Sequence, residues 1–265
     1  MRMKIFRVFL LSSILVFIFS GCQEQDDQSN QTTKESLSMN TEKSTAKESE
    51  TTIEETQSTT QTENSQVFPA GSLIQAVTNN DYDQVQIILQ DKSYVVDETN
   101  AQGETPLLIA THENYIEIAK LLIDADADIN QQDQISDSPY LYAGAQGKTE
   151  ILAYMLEKQV PDQRKVNRYG GNALIPAAEK GHLENVKLLL NDGRVDINHQ
   201  NNFGYTALIE AVGLRDGSEI YQEIIKVLLN AGAEKDLRDN TGRTATDYAN
   251  QLGYVEMAKI LNSYN

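Results

Sequence analysis

The chain has 265 residues and a formal net charge of −17, from 39 Asp+Glu against 22 Lys+Arg. That acidity argues against a nucleic-acid binder, because phosphate backbones reward clustered Lys and Arg, and there is no basic stripe outside the first few residues. The single cysteine, Cys22, rules out a disulfide framework, and three histidines (His112, His182, His199) all but rule out a zinc site or a Cys/His nucleophile pair.

The first element is "MRMKIFRVFLLSSILVFIFSGC". Arg2, Lys4 and Arg7 precede an apolar run from Val8 to Phe19, and Ser20 and Gly21 precede Cys22. A charged start, a short apolar core and small residues before a cleavage point make a secretory signal. The run is too short to span a bilayer comfortably, which takes roughly 20 residues. "FSGC" resembles the lipobox of bacterial lipoproteins, although Phe19 stands where that family usually has Leu. The resemblance implies that residues 1–21 are removed and that Cys22 is acylated, becoming a membrane anchor. No cofactor is expected.

Residues 23–66 are almost wholly Gln, Ser, Thr, Glu, Asp, Lys and Asn, and their few apolar residues show no period. Such a segment cannot bury enough apolar surface to offset its ordering entropy. Residues 22–66 therefore read as the acylated cysteine and a disordered acidic tether, with an end-to-end distance of roughly 40 Å. The tether would hold the domain beyond it away from the membrane. Gln23 and the long polar spacer look like a Gram-positive surface lipoprotein.

From Phe68 onward the chain repeats itself. "GSLIQAV", "TPLLIAT", "SPYLYAG", "NALIPAA", "TALIEAV" and "TATDYAN" begin at 71, 105, 138, 172, 206 and 244. Alanine recurs in register at Ala76, Ala110, Ala143, Ala177, Ala211 and Ala249, and each is followed by a second apolar stretch such as "VKLLL". A period near 33 with two short amphipathic helices per unit resembles the ankyrin repeat. The fourth unit, "GGNALIPAAEKGHLENVKLLLNDGRVDINHQNN", is close to that pattern throughout. The predicted fold is an all-α ankyrin-repeat solenoid over 67–265, with units at about 69–100, 101–133, 134–167, 168–201, 202–239 and 240–265. Units of this kind leave faces unburied alone and must stack. Glycines in "AQG", "YGG", "NFG" and "NTG" are expected at positive φ in hairpin turns. The family's "TPLH" histidine is replaced by Ile74, Leu108, Leu141, Ile175, Ile209 and Asp247, so packing must substitute for its polar contacts. The outermost units are the most divergent, as caps facing water should be.

Two features imitate sites. "DADAD" (Asp124 to Asp128) has the acidic alternation that opens a calcium loop, but Ile129 and Ile135 stand where that loop needs Gly and Glu. Aligned on the fifth unit, Asp126 falls on a helix-ending glycine column, a left-handed position that Asp tolerates. The histidines are read as turn residues: His182 and His112 at the turn between the helices of a unit, His199 in a hairpin. No phosphate loop, serine elbow or paired-carboxylate motif is present.

Without catalytic chemistry, an array of this kind binds. The family resemblance implies protein binding through the hairpin tips and the concave face of the first helices. By column, the candidate partner-binding residues are Arg168, Tyr169, Asn202, Phe203 and Tyr205 at the tips, with Glu179 and Lys180 at the end of a first helix. Large aromatics at tips are typical anchors, though they can instead pack on the next hairpin. The insertion "GLRDGSE" (213–219) is read as five extra residues enlarging one turn at the edge of the groove, which adds Leu214, Arg215 and Asp216. The expected function is a lipid-anchored, extracytoplasmic, monomeric scaffold or interaction module. The array's net charge of −13 would suit a basic partner. An immunity or inhibitor protein against a secreted toxin or hydrolase is the alternative. A small-ligand receptor or enzyme would need a deep pocket with convergent polar groups, of which the sequence shows no sign.

Overall fold

A computed structural model describes residues 67–213 and 215–264. The signal segment, Cys22, the tether and Leu214 lie outside the described residues. Among the described residues there are twelve helices and no strand. They come in pairs: α1 (Ser72–Thr78) with α2 (Tyr82–Ile88), α3 (Pro106–Glu113) with α4 (Ile116–Asp124), and α5 (Pro139–Ala145) with α6 (Thr149–Lys158). The array continues with α7 (Leu174–Glu179) and α8 (Leu183–Asp192), α9 (Ala207–Gly213) and α10 (Glu219–Asn230), and α11 (Ala245–Leu252) and α12 (Val255–Ser263). Each first helix packs on the first helix of the next unit, and each second helix on the next second helix.

Short polar side chains start the first helices. Thr105, Ser138, Thr206 and Thr244 each accept from a backbone N–H three residues on, supplying one of the acceptors that the first turn lacks. The recurring alanines are almost completely buried, which lets successive first helices approach closely. The former histidine column is packed: Leu108, Leu141, Ile175 and Ile209 are buried, while Asp247 on the terminal unit is exposed. Hydrophobic burial in these seams, about 25 cal/mol per Å² of apolar surface, holds the stack together.

The hairpins are built by one repeated device. Asn100, Asp133, Asn167, Asn201 and Asp239 each accept, through Oδ1, the backbone N–H groups two and four residues on. The short side chain thus mimics a backbone turn. The four predicted glycines are at positive φ, and Ser136 takes their place in the third unit at φ 66. At Gly204 the requirement is also steric, because a Cβ there would sit 2.7 Å from the Asn240 backbone nitrogen. Neighbouring hairpins are joined by Asn202 N–H donating to Tyr169 O and by Asn240 N–H donating to Phe203 O.

Asp126 has φ 63, the left-handed helix-ending position expected of it. Two expectations need correcting. His112 lies within α3 and not in a turn; it occupies the column of Glu179, two residues past the alanine. The insertion does not only widen a turn. Between Ala211 and the buried Ile224 there are five more residues than between Ala110 and Ile118, the matching pair of the second unit. The turn between the helices grows from two residues to five, α9 ends one residue sooner after its alanine than α3 does, and three residues extend the start of α10 by nearly one helical turn. Continuing the helix satisfies backbone groups that a longer loop would leave to solvent.

Candidate interaction cleft

A cleft of about 630 Å³ runs along the first helices of the third to fifth units. Its walls are hairpin tips and its floor is the helix faces beneath them. Asp137, Arg168, Tyr169, Phe203 and Tyr205 come from the hairpins; Tyr142, Ile175, Pro176 and Glu210 from α5, α7 and α9; Glu179 and Lys180 from the end of α7. The sequence showed no sign of such a pocket because its lining residues come from three successive units.

The candidate tip residues divide into two groups. Tyr169 and Phe203 are 57% and 54% exposed. Tyr205 is half-buried: its ring lies 6.0 Å from Phe203 and 6.3 Å, edge-on, from Tyr248. Its hydroxyl lies 3.5 Å from that of Tyr248, which donates to Asp239. The contact with Tyr248, together with burial, pushes the Tyr205 phenol up to about 12. Burial opposes ionisation of Asp239, but hydrogen bonds from Tyr248, Arg243 and Thr241 outweigh it and hold the carboxyl at about 2. Tyr205 is therefore part of the packing between units, and Tyr169 and Phe203 are the exposed rings at the tips.

Arg168 is exposed, pairs with Asp137 at 3.1 Å, and lies over the Tyr169 ring. Lys180 is exposed at the rim. Asn202 does not line the cleft; its carbonyl accepts from Asn240 Nδ2 in the seam between hairpins. Asp216 is also outside the cleft, exposed, and accepts from Ser218 N–H within its own loop. Arg215 reaches back one unit to donate to Glu179 at 2.5 Å. Its carbonyl accepts from Tyr254 of the last unit. The insertion is thus pinned on both sides and bridges the fourth and sixth units.

Glu210, on the cleft floor, was not singled out from the sequence. It occupies the column of Gln75, Ile109, Tyr142, Pro176 and Tyr248 and is 5% exposed. Asn201 Nδ2 donates to its Oε1 at 3.3 Å, while its Oε2 has no partner among the described residues. Burial, reinforced by the Glu179 charge and only partly offset by Arg215 and Asn201, pushes its carboxyl up to about 7. A charged residue in an otherwise neutral column was the signal available.

The histidines serve packing. His112 lies 3.2 Å from Glu104, and its ring meets that of Tyr142 at 4.1 Å between centroids, tilted by 55°. His199 meets the Gly170 carbonyl at 2.7 Å. His182 packs on Gly147, and its imidazole is held low by burial and by Lys180. Among the described residues no cluster of three or more His, Cys, Asp or Glu side chains could hold a metal ion.

A stack of two-helix units with hairpin tips walling a cleft defines a repeat protein of the interaction class. A family model described as ankyrin repeats (3 copies) matches residues 57–133, 73–163, 127–201 and 193–265. The chain is 36% identical over 194 residues to the putative ankyrin repeat protein YahD of Escherichia coli K12, covering 73% of this chain and 95% of that one. Among solved structures it is similar to the ankyrin repeat protein EF0377, with 64% identity and a TM-score of 0.74 over 75% of this chain and all of the other. It is also similar to an ankyrin repeat domain from Acinetobacter baumannii AYE, with 44% identity and a TM-score of 0.71 over 74% of this chain and 98% of that one. The chain belongs to the ankyrin-repeat family, whose repeats generally mediate protein–protein binding.

Proposed function

We propose that this protein is a lipid-anchored, non-catalytic interaction module on the extracytoplasmic face of a bacterial membrane, and that it seats a protein partner in the cleft of the third to fifth units. The observation that carries the reading is the pair of exposed aromatic rings, Tyr169 and Phe203, standing over a floor that is partly apolar and partly charged. Large aromatic side chains beside a water-excluding pocket are the usual centres of binding energy. A signal-like start ending in the chain's one cysteine supports the anchor, since several acyl chains give the stable attachment that one cannot.

The test is crosslinking on intact cells followed by identification of the captured protein, repeated with Tyr169→Ala and Phe203→Ala. Each substitution is expected to weaken capture by about tenfold or more while shifting stability by less than about 0.5 kcal/mol, because both rings are largely exposed. Tyr205 is left intact because its loss would also disturb the packing with Tyr248. Capture unchanged in both variants would overturn the cleft as the binding face. The anchor has a separate test. Cys22→Ser is expected to move the protein from the membrane fraction to the soluble fraction, and retention in the membrane fraction would refute acylation at Cys22.

A further inference from the structure

We propose that the cleft is built to receive an arginine side chain of the partner, its guanidinium held by Glu210 from below and by the rings of Tyr169 and Phe203 at the sides. This deepens the functional reading above and rests on it. Three observations converge on one chemistry.

The first is an unused acceptor. Glu210 is only 5% exposed and lines the cleft, and its Oε2 has no hydrogen-bond partner among the described residues. An unsatisfied buried carboxylate oxygen is costly, and native structures satisfy such groups except where a function takes them up. The second is the charge around it. Glu210 is flanked by Glu179, by Arg215 and by the Asn201 amide. Arg215 pairs with Glu179 through Nη2 while its buried Nε has no partner among the described residues, and Arg168 at the rim pairs with Asp137 and lies over the Tyr169 ring. Tyr205 and Tyr248, on the hairpin and α11, bring hydroxyl groups, and the nearby cation Arg243 lies over the Tyr248 ring at 5.5 Å. Lys180 also lines the cleft, but among the described residues no Lys, Arg or His forms an ion pair with Glu210. The third is the wall. A planar guanidinium stacks on aromatic faces and still donates in its own plane to a carboxylate, whereas a neutral amide would leave the carboxylate charge without a counter-charge.

Occupancy by a cation stabilises the ionised form of Glu210, so binding is coupled to loss of its proton. With a carboxyl near 7, the ionised fraction rises about tenfold between pH 6 and pH 8, and affinity for a cationic side chain should rise by about that factor. A partner carbonyl taken up by protonated Glu210 would show the opposite slope.

The experiment is calorimetric titration of the detergent-solubilised full chain with N-acetyl-arginine amide at pH 6, 7 and 8. N-acetyl-citrulline amide, which keeps the shape and lacks the charge, is titrated alongside. The expected result is binding of the arginine probe, strengthening about tenfold from pH 6 to pH 8, with citrulline at least tenfold weaker. Glu210→Gln should cost at least tenfold and abolish the pH slope, and Phe203→Ala should weaken binding with the slope retained. Equal affinity for the two probes, a falling slope, or an unaltered affinity in the Glu210→Gln protein would overturn the assignment. These outcomes are separate from the cell-surface test: a protein that captures its partner through Tyr169 and Phe203 but ignores the arginine probe refutes the arginine pocket alone.

Discussion

Glu210→Gln is expected to raise the unfolding midpoint at pH 8.5 by about 8 °C and to leave it almost unchanged at pH 4. The carboxyl titrates near 7 in the folded protein, against an ordinary value of 4.5. The folded state therefore binds this proton more tightly than the unfolded chain does. Stability contributed by the group is fully present below about pH 4.5 and is lost as pH rises through 7. Above pH 7 the ionised, buried Glu210 costs about 3 kcal/mol. Glutamine keeps the Oε1 that accepts from Asn201 and removes the charge. For a domain of this size, about 3 kcal/mol corresponds to a shift of roughly 6–12 °C. Calorimetric scans at the two pH values check this, with Glu184→Gln as the control that removes an equal charge from the surface. A midpoint at pH 8.5 no higher than that of the parent protein would mean that Glu210 is not strained in the fold. The expected gain marks a functional compromise, because the parent protein retains a destabilising group on the floor of its cleft.

Asn185→Ala is expected to lower unfolding free energy by about 3 kcal/mol, measured by urea titration. Asn185 is wholly buried in α8, in a column held by Ile118, Ile151, Ile224 and Met257 in other units and by Gln84 in the first. Its Nδ2 donates to the carbonyls of Ala143 and Gly144 at 2.9 and 3.1 Å, and its Oδ1 accepts from Thr149 at 2.8 Å. The last carbonyls of a helix have no partner within the helix, so this amide closes the end of α5 from the next unit. Its removal forfeits two buried hydrogen bonds and one partly buried one, and the Gly144 carbonyl loses this partner, whereas Ala143 O keeps the Lys148 N–H and Thr149 keeps the Gly147 carbonyl; an unsatisfied buried group costs about 1–3 kcal/mol. Asn185→Leu should fail as well, because filling the space restores no donor. A loss below about 1 kcal/mol in both variants would show that the contact is redundant.

The two residues illustrate where the sequence stops being readable. The repeat, its alanine column, its turn glycines and the left-handed Asp126 were all legible, since each arises from local backbone demands that recur every 33 or 34 residues. The five Asn and Asp residues that nucleate the hairpins recur on much the same spacing, but a glycine announces a turn more plainly than a polar side chain that is equally at home on any surface. Glu210 and Asn185 are different. Each is a polar residue in a column that other units fill mostly with uncharged or apolar residues, and nothing in the sequence says whether such a residue is satisfied, strained or exposed. The insertion behaves similarly: its length was countable, but its division into a longer loop and an added turn of α10 depends on Tyr254 and Glu179, which hold it from the units on either side.

The amino-acid sequence by itself determined the family, the number of units and the places where helices begin and turn, because repetition imposes the same short-range physics on every unit. Only the tertiary structure decided which tips are free and which are packed, and what lies on the cleft floor. Those properties are set by side chains from successive units, distant from one another in the chain, that meet only when the units stack and exclude water between them.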